Sequence, residues 1–195
     1  MRCAHLDDLV AALESLDPDV PRIERWGEVI ARCLEDGGRL LAAGNGGSAA
    51  HAQHLTAEFV GRYDTERRAY SAIALHADTS AITAIVNDYG VEQAFARGVE
   101  AHGRQGDIFL AISTSGRSAN VVRAAATADR LGLTVLALTG STPNPLADAA
   151  HDVISICGRT PTIQEVHQVV VHLICEAADR RLCRPAPLDL VEARA

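Results

Sequence analysis

Two kinds of apolar pattern recur along the chain. Apolar residues spaced by three and four positions indicate the buried face of an α-helix, and short continuous apolar runs bounded by glycine or polar residues indicate buried strands. Helices are predicted over residues 6–16, 23–34, 48–63, 79–86, 91–101, 118–132 and 162–182. Strands are predicted over residues 39–44, 71–75, 107–113, 134–140 and 152–157.

The order of these elements predicts the fold class. Short apolar strands that alternate with helices form a parallel sheet covered by helices on both faces. We therefore expect one α/β domain over residues 1–195, a three-layer sandwich of the doubly wound, flavodoxin-like type. Two helices within residues 1–36 precede a core at 37–183, and a loose tail follows at 184–195. The first two helices and the last helix exceed what one sheet needs for cover.

Composition narrows the class of function. The chain has 195 residues, of which 48% are hydrophobic and 22% charged, and this is ordinary for a globular protein. A formal net charge of −7 argues against a nucleic-acid-binding surface. Five cysteines, an odd number with no C-x-x-C spacing, suit reduced thiols in the cytoplasm. No apolar run reaches the roughly 18 residues of a membrane span, and the N-terminus lacks the apolar block of a signal peptide. The sequence therefore predicts a cytoplasmic protein without a membrane partner.

The first candidate loop is "GNGGSAA", which follows the strand at 39–44 and opens a helix. It fits three interpretations: a dinucleotide loop, a sugar-phosphate loop, or a tight turn before a helix. The G-x-G-x-x-A spacing belongs to the dinucleotide fingerprint, which also needs an acidic residue at the end of the second strand. Asp64 and Glu66 have about the right spacing but precede that strand. The dinucleotide interpretation is therefore disfavoured.

The second candidate loop is "STSGRS", after the strand at 107–113. Its four hydroxyls surround one strand-to-helix turn, and they belong to Ser113, Thr114, Ser115 and Ser118. Gly116 lets the backbone approach an anion closely, and a helix N-terminus favours a phosphate. Helix capping is the alternative, but one serine would satisfy it. Because the chain has no P-loop lysine and no evident magnesium carboxylates, we expect a sugar phosphate and no nucleotide cofactor.

Polar residues at helical spacing form two further candidate sets. His54 and Glu58 are four residues apart on one predicted helix, and Gln164, Gln168 and His172 advance by fours on another. The alternative for both sets is a solvent-facing stripe. Thr162 and Glu165 are expected to form a capping box at the start of the last helix. The remaining central histidines are expected to be surface residues or satisfied core residues: His51, His76, His102, His151 and His167.

Several segments together resemble the phosphoheptose isomerases of the SIS (sugar-isomerase) domain group. They are "GNGGSAAHAQHLTAEFVGRY", "AIVNDYG", "GDIFLAISTSGRSANVVRAA", "TVLALTG" and "IQEVHQVVVHLI". The resemblance implies an aldose-ketose isomerase that converts sedoheptulose 7-phosphate to D-glycero-D-manno-heptose 7-phosphate through an enediol. It implies Glu58 as the general base and His172 as the general acid.

The same resemblance implies a substrate site, a metal site and an assembly. The substrate and its phosphate would be bound by Asn45, Gly46, Gly47, Ser48, Arg62, Asn87, Asp88, Ser113, Thr114, Ser115, Ser118 and Gln164. One zinc ion per subunit would be bound, in some members of the family, by His54, Glu58, Gln164 and His172. The family resemblance further implies a homotetramer with active sites at subunit interfaces, in which the extra N-terminal helices and the last helix serve oligomerisation.

The resemblance is incomplete at one point. The family usually carries an Asp-Arg pair just before I-Q-E, whereas this chain has Pro161 and Thr162. An isomerase of another ketose phosphate is therefore an alternative. A second alternative is a non-catalytic SIS paralogue that binds a protein such as the bacterial replication initiator. Those paralogues generally lack the glutamate and the final histidine, which are present here as Glu58 and His172.

Overall fold

A computed structural model describes residues 3–183 of the chain. The predicted tail at 184–195 lies outside these described residues. No helix within the described range is both long enough and apolar enough to cross a membrane.

Five parallel strands form one central sheet. They are β1 (Leu40–Ala43), β2 (Ala72–Ala74), β3 (Ile108–Ser113), β4 (Thr134–Thr139) and β5 (Asp152–Ser155). Their order across the sheet is β2-β1-β3-β4-β5. This is the flavodoxin-like order, in which the chain reverses its direction of winding between β1 and β3. The predicted doubly wound sheet is confirmed.

Helices cover the sheet on both faces. They are α1 (Ala4–Glu14), α2 (Val20–Glu35), α3 (Gly47–Val60), α4 (Thr79–Tyr89), α5 (Ala96–His102), α6 (Ala119–Arg130), α7 (Pro145–Asp148) and α8 (Thr160–Leu182). Short 3-10 helices lie at Asp17–Asp19 and Val91–Gln93. The 23-residue helix α8 is the longest of these elements.

Alternating strand residues supply two separate apolar layers. Leu110 of β3 points into a layer shared with α2, α3 and α8, where Trp26 and Phe59 are buried. Its neighbour Phe109 points into the opposite layer, shared with α5 and α6. This alternation is the two-residue period of a strand buried on both faces. The arrangement places α3 and α8 together on one side of the sheet.

The observed bounds of two helices differ from the predicted ones, and in both cases a glycine lies at the boundary. The helix predicted over 48–63, with its end expected at Gly61 or soon after, stops at Val60 with Gly61 as its C-terminal cap. The helix predicted over 91–101 begins only at Ala96, after a separate turn that Gly90 introduces with a φ of 85°. Glycine reaches such positive φ values without steric cost, so it is a frequent helix terminus.

The predicted capping box at the start of α8 is wrong. The helix begins at Thr160, and Pro161 occupies its first turn, where a missing amide hydrogen costs nothing. Thr162 therefore lies inside the helix, and its hydroxyl is buried without a hydrogen-bond partner. The Glu165 carboxylate instead lies 2.9 Å from His5 Nε2, which ties α1 to α8.

Candidate active site

The two candidate loops meet at the carboxyl edge of the sheet. One loop follows β1 and the other follows β3, and these strands are neighbours at the point where the winding reverses. Open α/β sheets bind ligands at this position. Asn45 and Asn120 join the loops through two reciprocal side-chain hydrogen bonds, each 2.9 Å long. The loops thus form one continuous surface.

The hydroxyls of the second loop face one another. Ser113 Oγ lies 3.1 Å from Ser118 Oγ and 3.5 Å from Ser115 Oγ. Ser118 precedes α6 but makes no side-chain capping bond, so the capping alternative does not explain its hydroxyl. Gly116 has a φ of 60°, and a Cβ there would collide with the amide of Asn144. The loop is therefore a compact group of hydroxyls held by a buried asparagine.

The first loop reaches α3 through a second constrained glycine. Gly46 has a φ of 55° and leaves the first turn of α3 without a side-chain cap. A Cβ on Gly47 would lie 2.5 Å from Gln164 Nε2, so the glutamine packs directly on the loop. Ser48, in the first turn of α3, is 3% exposed. Uncapped amides at a helix N-terminus are suited to an anion.

A group of titratable side chains lies farther along α3 and α8. His54 Nε2 is 3.2 Å from Glu58 Oε1 and 3.0 Å from His172 Nε2. Gln168 Nε2 is also 3.0 Å from His172 Nε2. We name His54, Glu58, Gln168 and His172 the α3–α8 cluster. Its members are half-buried rather than solvent-facing, apart from the more deeply placed Glu58, whose side chain is 18% exposed.

The contacts of the α3–α8 cluster indicate where its hydrogens lie. If the Gln168 amide donates to His172 Nε2, that nitrogen carries no hydrogen. His54 Nε2 then carries one, which it can donate to Glu58 Oε1. This assignment gives His172 Nε2 the Gln168 amide as its donor and leaves the 3.0 Å approach of His54 Nε2 as a close contact between the two rings. Tyr63 borders the cluster, with its ring centre 5.8 Å from that of His172.

Three other histidines, outside the α3–α8 cluster, have ring nitrogens buried within the protein. Burial lowers the pKa of His167 to about 4, although its hydrogen bond with the carbonyl oxygen of Thr139 opposes the shift. The pKa of His51 is also lowered, by burial and by its neighbour His54. His167 and His51 each have a buried Nδ1 without a partner, and both ring nitrogens of His76 lack one. The expectation of a surface residue or a satisfied core residue is therefore wrong for the fully buried His167, whereas His51 and His76 are half-buried residues with unpartnered ring nitrogens.

Other predicted site residues make their hydrogen bonds outside the α3–α8 cluster. Arg62 is exposed and donates to the carbonyl oxygen of Asp64. Asn87 and Asp88 are exposed on α4 and hydrogen-bond to each other at 2.7 Å. Gln164 lies eight residues before His172, which is roughly 12 Å along the helix. Their predicted roles in binding stay predictions.

Sequence reasoning missed three residues that shape the site: Asn120, Tyr63 and Arg67. Asn120 had an available signal, because it is a polar residue at the start of a helix that follows a serine-rich loop. Tyr63 and Arg67 lie in an irregular segment, where no periodicity marks them. The acids that a dinucleotide loop would require, Asp64 and Glu66, are exposed before β2. They are not at the end of that strand.

The donor atoms of the α3–α8 cluster suit zinc in type. Two imidazole nitrogens and a carboxylate oxygen are separated by 3.0 and 3.2 Å. Neighbouring ligands of a tetrahedral zinc ion, with bonds of about 2.0–2.1 Å, lie roughly 3.3 Å apart. However, the Glu58 carboxylate oxygen and the His172 nitrogen both approach the same atom of His54, Nε2. Across the described residues, no three His, Cys, Asp or Glu side chains are arranged so that they could hold a metal ion. The rings would have to turn to bind one.

Comparison with known proteins identifies the family. The model of the SIS domain family matches residues 4–140, more than half of the chain. The chain belongs to the SIS domain family. A phosphoheptose isomerase of Streptomyces coelicolor is 55% identical to this SIS domain protein, over 92% of the chain and 78% of that relative.

Two solved structures have the same architecture as this SIS domain protein. A phosphoheptose isomerase from Neisseria gonorrhoeae has a TM-score of 0.82 at 38% identity, and one from Francisella tularensis has a TM-score of 0.85 at 34% identity. Each comparison covers 91% of this chain and 96% of the other. A match over 91% of the chain is longer than the segment 4–140 that the family model matches. The structural likeness therefore extends into the part of the chain that carries α8.

Proposed function

We propose that this protein is a phosphoheptose isomerase that converts sedoheptulose 7-phosphate to D-glycero-D-manno-heptose 7-phosphate. The observation that carries the proposal is the meeting of Glu58 and His54 on α3 with His172 on α8. It occurs in a fold whose sheet edge carries a separate group of hydroxyls. The similarity to phosphoheptose isomerases over most of the chain supports the same reaction.

The phosphate is proposed to bind where the two loops meet. Four serine hydroxyls are available there, from Ser48, Ser113, Ser115 and Ser118. The N-termini of α3 and α6, where the preceding residue makes no side-chain cap, add a favourable helix dipole. Asn45, tied to Asn120, would face the sugar. Arg62, Asn87 and Asp88 are exposed in one subunit, and they would contact a sugar bound between subunits.

Isomerisation requires a proton to move between neighbouring carbons. The Glu58 carboxylate would remove a proton from C1 of the ketose, and electrons would shift toward the C2 oxygen to form a cis-enediol. Glu58 would then return a proton to C2, while His172 moves protons between the two oxygens. A carboxylate and an imidazole are suited to this division of acid–base work near neutral pH. His54, within reach of both groups, would orient Glu58.

Zinc is part of the proposal because the donor set suits it. His54, Glu58 and His172 would hold the ion. The Gln164 side chain would have to leave Gly47 to serve as the fourth ligand that the family resemblance implies. Bound zinc would supply a Lewis acid for the substrate carbonyl. Direct zinc titration by calorimetry tests binding, with His54→Gln expected to weaken it. Equal zinc affinity in the wild type and in His54→Gln would reject His54, Glu58 and His172 as the set of zinc ligands.

The assembly and cellular location follow the family resemblance. We propose a homotetramer in the cytoplasm. The exposed apolar residues Val86, Tyr89 and Val91 lie on the outer side of α4 and the turn that follows it. Apolar groups of this kind are available for burial against another subunit.

A substrate panel tests the proposed reaction. Purified protein is incubated with pentulose, hexulose and heptulose phosphates, and aldose formation is followed by NMR. We expect turnover of sedoheptulose 7-phosphate well above that of the shorter ketoses. Preference for a shorter ketose would redirect the proposal to another isomerase, which the departure at Pro161 allows. The absence of turnover with every ketose, in protein shown to bind phosphate, would contradict an enzymatic function.

A further inference from the structure

Arg67 is a buried charge that the proposed reaction does not use. It lies in the segment between α3 and β2, and its side chain is 2% exposed. Its Nε donates to Asp179 Oδ1 at 2.8 Å, and the partner side chain is 10% exposed. Burying a guanidinium and a carboxylate is costly unless both are well paired. The pair therefore needs an explanation beyond surface electrostatics.

The rest of the Arg67 guanidinium caps the end of α3. Nη2 donates to the carbonyl oxygen of Glu58 at 2.7 Å, and Nη1 donates to that of Phe59 at 3.1 Å. Nη1 also donates to the Arg68 carbonyl oxygen at 3.1 Å. The last carbonyls of a helix have no partner within the helix, and a cation is favoured at this negative end of the helix dipole. Arg67 satisfies the carbonyl of the proposed base itself.

The same guanidinium joins the two helices of the α3–α8 cluster. Asp179 lies on α8, seven residues or about two turns beyond His172, on a similar face of the helix. Arg67 thus connects the backbone of Glu58 to α8, the helix that carries His172. The rings of Phe59 and Tyr70, with centres 5.7 and 5.4 Å from the guanidinium carbon, hold it from the sides.

We infer that Arg67 is a positioning residue for the isomerisation, which fixes the last turn of α3, and with it Glu58, against α8 and His172. This inference rests on the proposed function. The phosphate loops adjoin the opposite end of α3, at Ser48. Loss of the guanidinium fork should therefore impair the chemical step more than substrate binding.

The test compares Arg67→Lys with Arg181→Lys. Lysine keeps the charge opposite Asp179 but cannot donate to several carbonyls in a fixed fork. Arg181 is the matched control, since its Nε pairs with Glu35 Oε2 at 2.6 Å and ties α8 to α2 without touching α3. Arg67→Lys should lower kcat by about tenfold or more, as expected when a catalytic group is displaced by a fraction of an ångström. KM and inhibition by inorganic phosphate should change by less than about twofold, and Arg181→Lys should match the wild type.

A second readout is independent of turnover. The ring C–H NMR signals of His54 and His172, assigned with His→Gln variants, should move in Arg67→Lys and stay in place in Arg181→Lys. If the wild type isomerises no ketose phosphate, the proposed function is contradicted. The His54 and His172 signals would still show whether Arg67 fixes the positions of these two rings. Unmoved signals, together with a loss of melting temperature alone, would show that Arg67 is only structural.

Should Arg67→Lys not fold, Asp179→Asn provides the same test. An amide oxygen can still accept from Arg67 Nε, but the charge that holds the guanidinium is removed. We expect the same direction of change in kcat and in the His54 and His172 signals. Signals identical to those of the wild type in the folded Asp179→Asn protein would overturn the inference.

Discussion

Glu58 is held at both of its ends. Its carboxylate lies 3.2 Å from His54 Nε2, and its main-chain carbonyl accepts from Arg67. The side chain is mostly buried, so its orientation is not left to solvent. A base that is fixed before the substrate arrives avoids reorganisation during the reaction.

Glu58→Gln should separate chemistry from folding. The amide keeps the shape of the carboxylate but cannot accept the proton from carbon, so turnover should fall by roughly a hundredfold or more. Turnover of the heptulose phosphate is the measurement, with circular dichroism as the control for folding. Near-normal turnover in this variant would reject Glu58 as the base.

His167 makes stability depend on pH. Its ring is fully buried, and desolvation lowers its pKa from 6.5 to about 4. Between these values the unfolded chain binds a proton that the folded protein excludes. The stability present above pH 6.5 is therefore lost as pH falls toward 4, on the order of 1.4 kcal/mol per pH unit from this residue.

Replacing His167 with glutamine should reduce this acid sensitivity. Glutamine can still donate to the Thr139 carbonyl oxygen but does not titrate. Urea unfolding at pH 7 and pH 5 should give a smaller loss of unfolding free energy in the variant than in the wild type. Carboxylate effects common to both proteins cancel in the comparison. Equal losses would show that His167 does not carry the dependence.

At the scale of elements, helix α3 links the two parts of the site. Ser48 lies in its first turn and Glu58 near its last, ten residues or roughly 15 Å apart. Its N-terminus adjoins the two loops proposed to bind the phosphate, and its C-terminal half packs beside α8. One rigid helix can thus relate a phosphate position to the position of the reacting carbons.

The serine loop should depend on its glycine. Gly116→Ala would force a methyl group into the Asn144 amide at a φ of 60°. We expect phosphate affinity, measured by calorimetry, to weaken by about tenfold or more, equivalent to about 1.4 kcal/mol. Gly37→Ala is the control, because it has a similar φ of 85° but open space around its Cβ. Equal phosphate affinity in both variants would show that the loop geometry is not needed for the anion.

At the scale of the whole molecule, a single subunit leaves an apolar groove open and two of the proposed sugar-binding residues exposed. An apolar groove of about 440 Å³ runs between α3, β2 and α4, on a different face of α3 from His54 and Glu58. Asn87 and Asp88 lie exposed on the same helix α4. An assembly that covers this face would bring exposed polar residues of one subunit toward another.

Activity should therefore depend on assembly. We expect sedimentation to give a tetramer, and specific activity to fall when dilution yields smaller species. The physical reason is that Arg62, Asn87 and Asp88, which are proposed to bind the sugar, are exposed in one subunit and make their hydrogen bonds outside the α3–α8 cluster. The measurement pairs analytical ultracentrifugation with assays over the same concentration range. A fully active monomer would contradict a site shared between subunits.

Local pattern was sufficient for much of the architecture. The apolar runs predicted every strand, because a strand buried on both faces must be apolar along its length. The alternation of strands and helices predicted the parallel sheet. The position of both loops at its carboxyl edge follows from that topology, as does the concentration of hydroxyls from Ser113 to Ser118. Each of these inferences depends on residues close in sequence.

Only the tertiary structure decided which distant side chains meet. Periodicity placed Gln164, Gln168 and His172 on one face of α8 and allows the contact between Gln168 and His172. Long-range packing decided that His172 meets His54 of α3 and that Gln164 packs on Gly47. Long-range packing also placed Arg67, which lies in a segment without periodicity, against the end of α3. The spacing of residues in a helix determines a face, whereas the partner of that face depends on how elements far apart in the chain share one core.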